Sequence, residues 1–260
     1  VMTLLISIEY RTRWGEQLVL RLGKRRIALQ YAEGDIWTCA IERYAPPAQP
    51  AEYRYEVERD GVCIRREWRP HILRTPDGPA PRALRIRDRW IDMPADTPFY
   101  SSAFTRGIFG RGESGPQQKN GGNITLRVTL PALRPDEVLA VAGSGRELGD
   151  WQRIIPMDDS RFPEWELLLD VSQRFEYKFL IADRGTLTPV MWEEGPNRTW
   201  NDLPAEGEHI VEAAASPRFP ERRWRGAGTA IPVFSLRSEA GFGVGEFYDL
   251  KLLIDWAAAT

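Results

Sequence analysis

The sequence predicts a mainly β protein: two antiparallel β-sandwiches in tandem, followed by the opening strand and helix of an α/β domain. Three observations carry this expectation. Short runs rich in Val, Ile, Tyr, Phe and Trp, separated by Gly, Pro, Asp and Asn, fill the chain from residue 3 to about residue 213, the spacing of sandwich or barrel strands. No sustained helical period interrupts them. Near the C-terminal end a short apolar run, a glycine-punctuated loop and a helical period follow one another, the order that opens an α/β layer.

The first set of strands is expected over residues 3–10, 17–22, 36–42, 53–58 and 62–67, which places the first sandwich at 1–92. Residues 93–122 differ in composition. Pro94, Pro98, Gly107, Gly110, Gly112, Gly115, Pro116, Gly121 and Gly122 punctuate them, and Gln117-Gln118-Lys119-Asn120 is wholly polar, so the stretch reads as an inter-domain linker with a mobile tip. Its aromatic patch, Phe99-Tyr100, Phe104 and Ile108-Phe109, is too apolar for free coil and is expected to dock on a sandwich. A second set of strands at 124–130, 138–142, 165–170, 175–181 and 209–212 makes 123–214 the second sandwich. In Ile124-Thr125-Leu126-Arg127-Val128-Thr129-Leu130 every second residue is apolar, which means a half-buried strand.

Residues 215–260 begin with an Arg/Pro/aromatic connector at 218–225. Ala230-Ile231-Pro232-Val233-Phe234 then reads as a short buried parallel strand, and Gly241-Phe242-Gly243-Val244-Gly245 as a tight loop. Over 246–259 a helical period puts Phe247, Leu250, Leu253, Ile254 and Ala257 on one face. An apolar face of this kind is expected either to dock on a sandwich or to drive self-association.

Composition narrows the function classes. With 42% hydrophobic residues and 10 Trp the chain builds real cores and is not a disordered protein. A net charge of −2 argues against a nucleic-acid partner held by phosphate neutralisation. The first sandwich leans basic, but its Lys and Arg are spread over alternating strands, as on solvated faces. Cys39 and Cys63 are the only cysteines, too few for a disulfide framework. His71 and His209 stand apart from each other and from the thiols, so neither a metal site nor a cofactor is expected. The apolar N-terminal run lacks the basic flank of a signal segment, and no window approaches the roughly 18–20 apolar residues of a membrane span. A soluble, reducing, cytoplasmic setting without a membrane partner is the expectation.

The chemistry-bearing residues cluster in the second sandwich. Leu148-Gly149-Asp150-Trp151 puts a Trp just after a Gly/Asp turn. Glu176-Tyr177-Lys178-Phe179 sets Lys178 on the strand face opposite Tyr177 and Phe179. Trp192 stands beside Glu193 and Glu194 and is followed by Gly195-Pro196-Asn197-Arg198. A Trp in a small sandwich is often core, Lys178 alone reads as a solvated strand residue, and Asn197 alone as a turn former. Together they suit sugar recognition, because a pyranose presents axial C–H groups to an indole face and hydroxyls to charged and amide partners.

In order and spacing these segments resemble carbohydrate-binding module family 20, the starch-binding domain, over about 90 residues. The resemblance implies an immunoglobulin-like sandwich in which Trp151 and Trp192 are paired rings under a glucan chain. Lys178, Glu193 and Asn197 are then its hydrogen-bonding partners. The first sandwich is similar but degraded. Trp14-Gly15-Glu16 resembles the opening strand of that family, Tyr53-Arg54-Tyr55 stands where a Tyr-Lys-Phe is expected, and Arg66-Glu67-Trp68 resembles the second Trp segment. Its Leu-Gly-x-Trp turn and its Asn are missing, so Trp14 and Trp68 are weaker candidates that serve either a glucan or a domain interface.

The C-terminal stretch, Gly226-Ala227-Gly228-Thr229-Ala230-Ile231-Pro232-Val233-Phe234-Ser235-Leu236-Arg237-Ser238 and then Gly241-Phe242-Gly243-Val244-Gly245-Glu246-Phe247-x-Asp249-Leu250, resembles the start of glycoside hydrolase family 77, the 4-α-glucanotransferases. This implies the first strand, loop and helix of a truncated (β/α)8 barrel, with Phe242 near a substrate groove on the face where such barrels carry their active sites. The implied parent activity transfers α-1,4-linked glucosyl units between glucans by a retaining mechanism, which needs two carboxylates about 5–5.5 Å apart. Those come from later barrel strands, so this chain is expected to bind starch, glycogen or maltodextrin without catalysing; Glu246 and Asp249 read as helix-capping residues. The alternatives are a protein-interaction pair of sandwiches with Trp/Arg-rich faces and the binding part of another starch-active enzyme.

Overall fold

The protein is described here by a computed structural model, which covers residues 1–46, 49–76, 79–111, 121–220 and 229–259. Its contacts divide the chain into two units, Val1–Glu221 and Arg222–Thr260.

The first unit is built on an eight-stranded sheet. Strict alternation in β1 (Met2–Glu9) buries Met2, Leu4, Ile6 and Ile8, because successive side chains of a strand point to opposite faces. β1 pairs antiparallel with β5 (Ile36–Tyr44), which carries β4 (Gln30–Ala32) on its far side. On its other edge β1 pairs in parallel with β9 (Ala83–Arg89). β9 in turn pairs in parallel with β18 (Glu208–Ala213), and β18 with β10 (Ile124–Thr129). Beyond lie β14 (Glu164–Leu169), antiparallel to β10, and β13 (Asp158–Arg161).

Two smaller sheets cover this one. The first contains β2 (Glu16–Leu22), β3 (Arg25–Ala28), β6 (Ala51–Arg59), β7 (Val62–Arg66) and β8 (His71–Leu73). The second contains β11 (Glu137–Gly143), β12 (Ile155–Pro156), β15 (Phe175–Asp183), β16 (Pro189–Trp192) and β17 (Arg198–Trp200). Register shows on which side each lies. On β18, Val211 sits opposite Ile86 and joins the core of the first sandwich, while Ile210 sits opposite Ile124 and joins the core of the second. Adjacent residues of one strand face opposite ways, so the two small sheets pack on opposite faces of the shared sheet.

The expected tandem of sandwiches thus takes a different form: the two cores share one sheet, and the strands at the junction are parallel rather than antiparallel. β9 and β18 would otherwise each present an unpaired edge, the surface on which strands aggregate. Arg85 fastens the junction through ion pairs to Asp202 (2.8 Å) and Glu208 (2.7 Å). β9 escaped the sequence reading because Arg85, Arg87 and Arg89 alternate with Leu84, Ile86 and a buried Asp88, which reads as an arginine-rich connector.

The described part of 93–122 packs against both sandwiches, with Tyr100 edge-on to Trp68 of the first and Arg111 anchored in the second. Phe99, Phe104 and Phe109 pack ring against ring, and Phe109 is buried. Arg111 donates to the Glu137 carbonyl (2.9 Å) and to Asp159 (2.7 Å), with its guanidinium over the rings of Phe162 and Trp165. Gly112, Gly115, Pro116 and the polar run 117–120 lie outside the described residues.

In the second unit the expected strand over 230–234 is absent: Val233–Ser235 forms a 3-10 turn, and Ile231, Val233 and Phe234 are exposed. An isolated parallel strand has no partner for its backbone groups, and none is provided among the described residues of this unit. The helix is present as α1 (Phe247–Ala259), with Phe247, Ile254 and Trp256 exposed. Asp249 accepts a hydrogen bond from the backbone N–H of Glu246 (2.8 Å), half of a capping box that starts the helix. Residues 226–228 and most of the connector at 218–225 are outside the described residues.

Candidate functional site

The site is assembled around the first half of β15. Its neighbour β11 ends at Gly143, opposite Tyr177. A Cβ at Gly143 would stand 2.3 Å from the carbonyl oxygen of Glu176, so the chain leaves the sheet there only because the residue is glycine. The Ser144 amide donates to that same carbonyl (2.8 Å), and the Ser144 hydroxyl accepts from the Glu176 amide (2.8 Å).

The following 3-10 segment, Arg146–Trp151, is plugged into the core by Leu148. Gly149, Asp150 and Trp151 then take positive φ values of 78°, 48° and 63° in succession. Left-handed backbone at two adjacent non-glycine residues is costly, of order 1–3 kcal/mol each, and persists only where the surroundings enforce it. Here Asp150 accepts from the Gly145 amide (2.9 Å) and closes the turn. The result is that the Trp151 ring is held out of the core, 40% exposed.

On the other side of β15, Trp192 ends β16 directly opposite Leu180. Directly opposed residues of an antiparallel pair share a face, and Lys178 and Glu176 share it with Leu180 by alternation. Trp192 is 42% exposed. Lys178 Nζ donates to the Gly195 carbonyl (2.7 Å), and Asn197 Nδ2 to Glu176 Oε2 (3.0 Å). Trp192, Lys178, Glu176 and Asn197 therefore lie along one face, with the Trp151 turn leaving the adjacent strand at the level of Tyr177. Behind them Tyr177 and Phe179 are buried, and burial raises the Tyr177 phenol to about 12.

Glu193 is the exception among the residues expected here. It is 5% exposed, and Arg198 grips its carboxylate through Nε (3.0 and 3.1 Å) and Nη2 (2.7 Å). Oε1 also accepts from the Phe179 amide (2.8 Å). With both oxygens engaged below the surface, Glu193 fixes the end of β16 instead of facing a ligand. Alternation explains this, since Glu193 follows outward-facing Trp192. Glu176, which the sequence reading used only as a spacing mark, is the carboxylate on the open face; its parity with Lys178 was the available signal.

The weaker candidates do not assemble a comparable site. Trp14 stands on the turn between β1 and β2, 99% exposed. Trp68 is half-buried, packed edge-on against Tyr100 and covered by Arg69. Phe242, in the second unit, is 92% exposed on the loop before α1. Among the described residues no group of three His, Cys, Asp or Glu side chains is placed to hold a metal, and no helix is long and apolar enough to cross a membrane.

Residues 122–209 match the family model described as the starch binding domain. Over 98% of its length the chain is 30% identical to the 4-alpha-glucanotransferase DPE2 of Oryza sativa subsp. japonica, of which it spans 30%. Among solved structures it is similar to the family 20 carbohydrate-binding module of a maltotetraose-forming amylase from Pseudomonas saccharophila STB07. That likeness is 20% in identity, covering 35% of this chain and 98% of the module, with a TM-score of 0.30. It is also similar to a family 26 module of Eubacterium rectale Amy13K solved with maltoheptaose, at 10% identity, 80% and 100% coverage, and a TM-score of 0.23.

Proposed function

From a second sandwich that matches the starch binding domain and a chain related nearly throughout to a 4-alpha-glucanotransferase, we propose a glucan-binding role for this chain. It holds starch, glycogen or maltodextrin for a parent enzyme that passes α-1,4-glucosyl units between glucans by a retaining mechanism, in the cytoplasm. The observation that carries the reading is the pair of part-exposed indoles, Trp151 and Trp192, borne on the two sides of the Lys178 strand. One ring is projected by a turn of left-handed residues and the other by strand parity.

In this reading the glucan lies across both rings, while Lys178, Glu176 and Asn197 exchange hydrogen bonds with its hydroxyls. The role is non-catalytic. Asp249 caps the helix by accepting from the Glu246 amide, Asp255 pairs with Lys251, and the paired carboxylates of a retaining transfer belong to the remainder of the parent. Binding near an active site raises the local substrate concentration, to the millimolar range for a short tether.

Retardation in native gels containing amylopectin tests this. Wild-type chain is expected to be held back, and Trp151→Ala with Trp192→Ala to run freely. If stacking on an indole resembles that of a nucleobase, each ring contributes about 1–3 kcal/mol. Unretarded wild-type protein overturns the proposal.

A further inference from the structure

A cleft of about 380 Å³ shares no lining residue with the Trp151/Trp192 site and falls within the size range of small-molecule pockets. It forms where the small sheet of the first sandwich ends at β8 while the shared sheet runs on, so that the back of β10 and β14 is left uncovered on that side. Arg127 and Glu166, opposite each other in register, stand on that back. Arg74 reaches across to Glu164 (2.6 Å). Tyr53 and Tyr55 both donate to Asp88 (2.8 and 2.7 Å), and Arg127 donates to Glu166 (2.9 Å). The deep charges thus satisfy one another.

The mouth is different. Trp68, Trp90 and Tyr100 line it, with Arg69 and Arg89. Among the described residues neither arginine has a carboxylate within ion-pair distance. Arg69 makes one long hydrogen bond, to Thr129 Oγ1 at 3.4 Å, and its guanidinium lies 5.7 Å over Trp68 and 4.9 Å over Tyr100. Rings beside guanidiniums that no carboxylate pairs, with the Glu164 and Asp92 carboxylates in the wall, match an amphipathic neutral ligand that needs apolar faces, donors and acceptors together.

We propose that this cleft at the seam of the two sandwiches is a second saccharide site, taking the end of an α-1,4-glucan chain. The choice of glucan as occupant rests on the function proposed above; the cleft itself does not involve Trp151 or Trp192. It also gives Trp68 a setting, as one wall of a site that both sandwiches build. One chain would then hold a glucan at two separate places.

Calorimetric titration of the full chain with maltotriose separates the two sites. In the Trp151→Ala/Trp192→Ala background, binding of one saccharide per chain is expected to remain, and the indole N–H resonances of Trp68 and Trp90 to shift during titration. Adding Arg69→Ala and Arg89→Ala, both exchanges at the cleft mouth, should weaken that residual binding at least tenfold without moving the unfolding midpoint. Loss of all binding in the double Trp variant overturns the seam site and leaves the indole site standing. Residual binding indifferent to the arginine changes, or without the indole shifts, also overturns it. So does arginine-dependent binding of inorganic phosphate with none of maltotriose. A wild-type chain that binds no maltotriose sinks both.

Discussion

Two buried ionisable side chains of the second sandwich are structural, and each makes a measurable demand. Glu193 carries both Arg198 and the Phe179 amide. Glu193→Ala takes the carboxylate from a part-buried guanidinium and leaves a buried N–H without a partner, a loss of about 2–4 kcal/mol in urea unfolding. An unchanged midpoint would show that Arg198 relaxes into water. His209 is buried between the Thr125 hydroxyl (2.8 Å) and the Gly122 carbonyl (3.2 Å), and burial pushes its pKa down to about 4. The folded state therefore binds this proton less readily than the unfolded state, whose value stays near 6.5. The stability it permits is complete above about pH 6.5 and falls as pH drops towards 4. His209→Gln is expected to lose less stability than wild type between those values, by on the order of 1–3 kcal/mol; parallel pH profiles would refute the assignment.

The turn carrying Trp151 depends on where β11 is allowed to stop. Gly143→Ala sets a methyl against the Glu176 carbonyl, and backbone cannot swing aside as a long side chain can. The strand end must shift, so the variant is expected to fold with reduced stability and to bind amylopectin several-fold more weakly, although residue 143 faces no ligand. Wild-type retardation in the gel would mean that the turn is positioned by Leu148 and Asp150 alone. In β15, alternation set Lys178 on the face opposite Tyr177 and Phe179, and the structure buries the latter two while Lys178 stays half-buried. The same rule applied one residue beyond Trp192 would have sent Glu193 inward.

The shared sheet predicts joint behaviour of the two sandwiches. Val211 and Ile210, neighbours on β18, belong to different cores, so opening one sandwich strips a wall from the other. Amide hydrogen exchange in β1 and in β10 is expected to report the same opening free energy, and Val211→Ala to lower both together. Exchange that accelerates in β1 alone would mean that each sandwich opens as its own cooperative unit.

By itself the sequence determined the β class, the positions of ten strands, the helix expected over 246–259 and found over Phe247–Ala259, and the two indoles that punctuate the second sandwich. Each of these is written in local information: period, turn residues and spacing. Tertiary structure alone decided that β9 joins β18 in parallel, that the sandwiches back onto one sheet from opposite sides, and that Arg69, Arg89, Trp68 and Trp90 meet at a cleft. The first two facts rest on a pairing across more than a hundred residues, and the third on one between segments some twenty residues apart, Trp68 N–H to the Ile91 carbonyl. An edge strand's hydrogen-bonding groups are the same whichever partner it takes, so only the assembled cores select between partners.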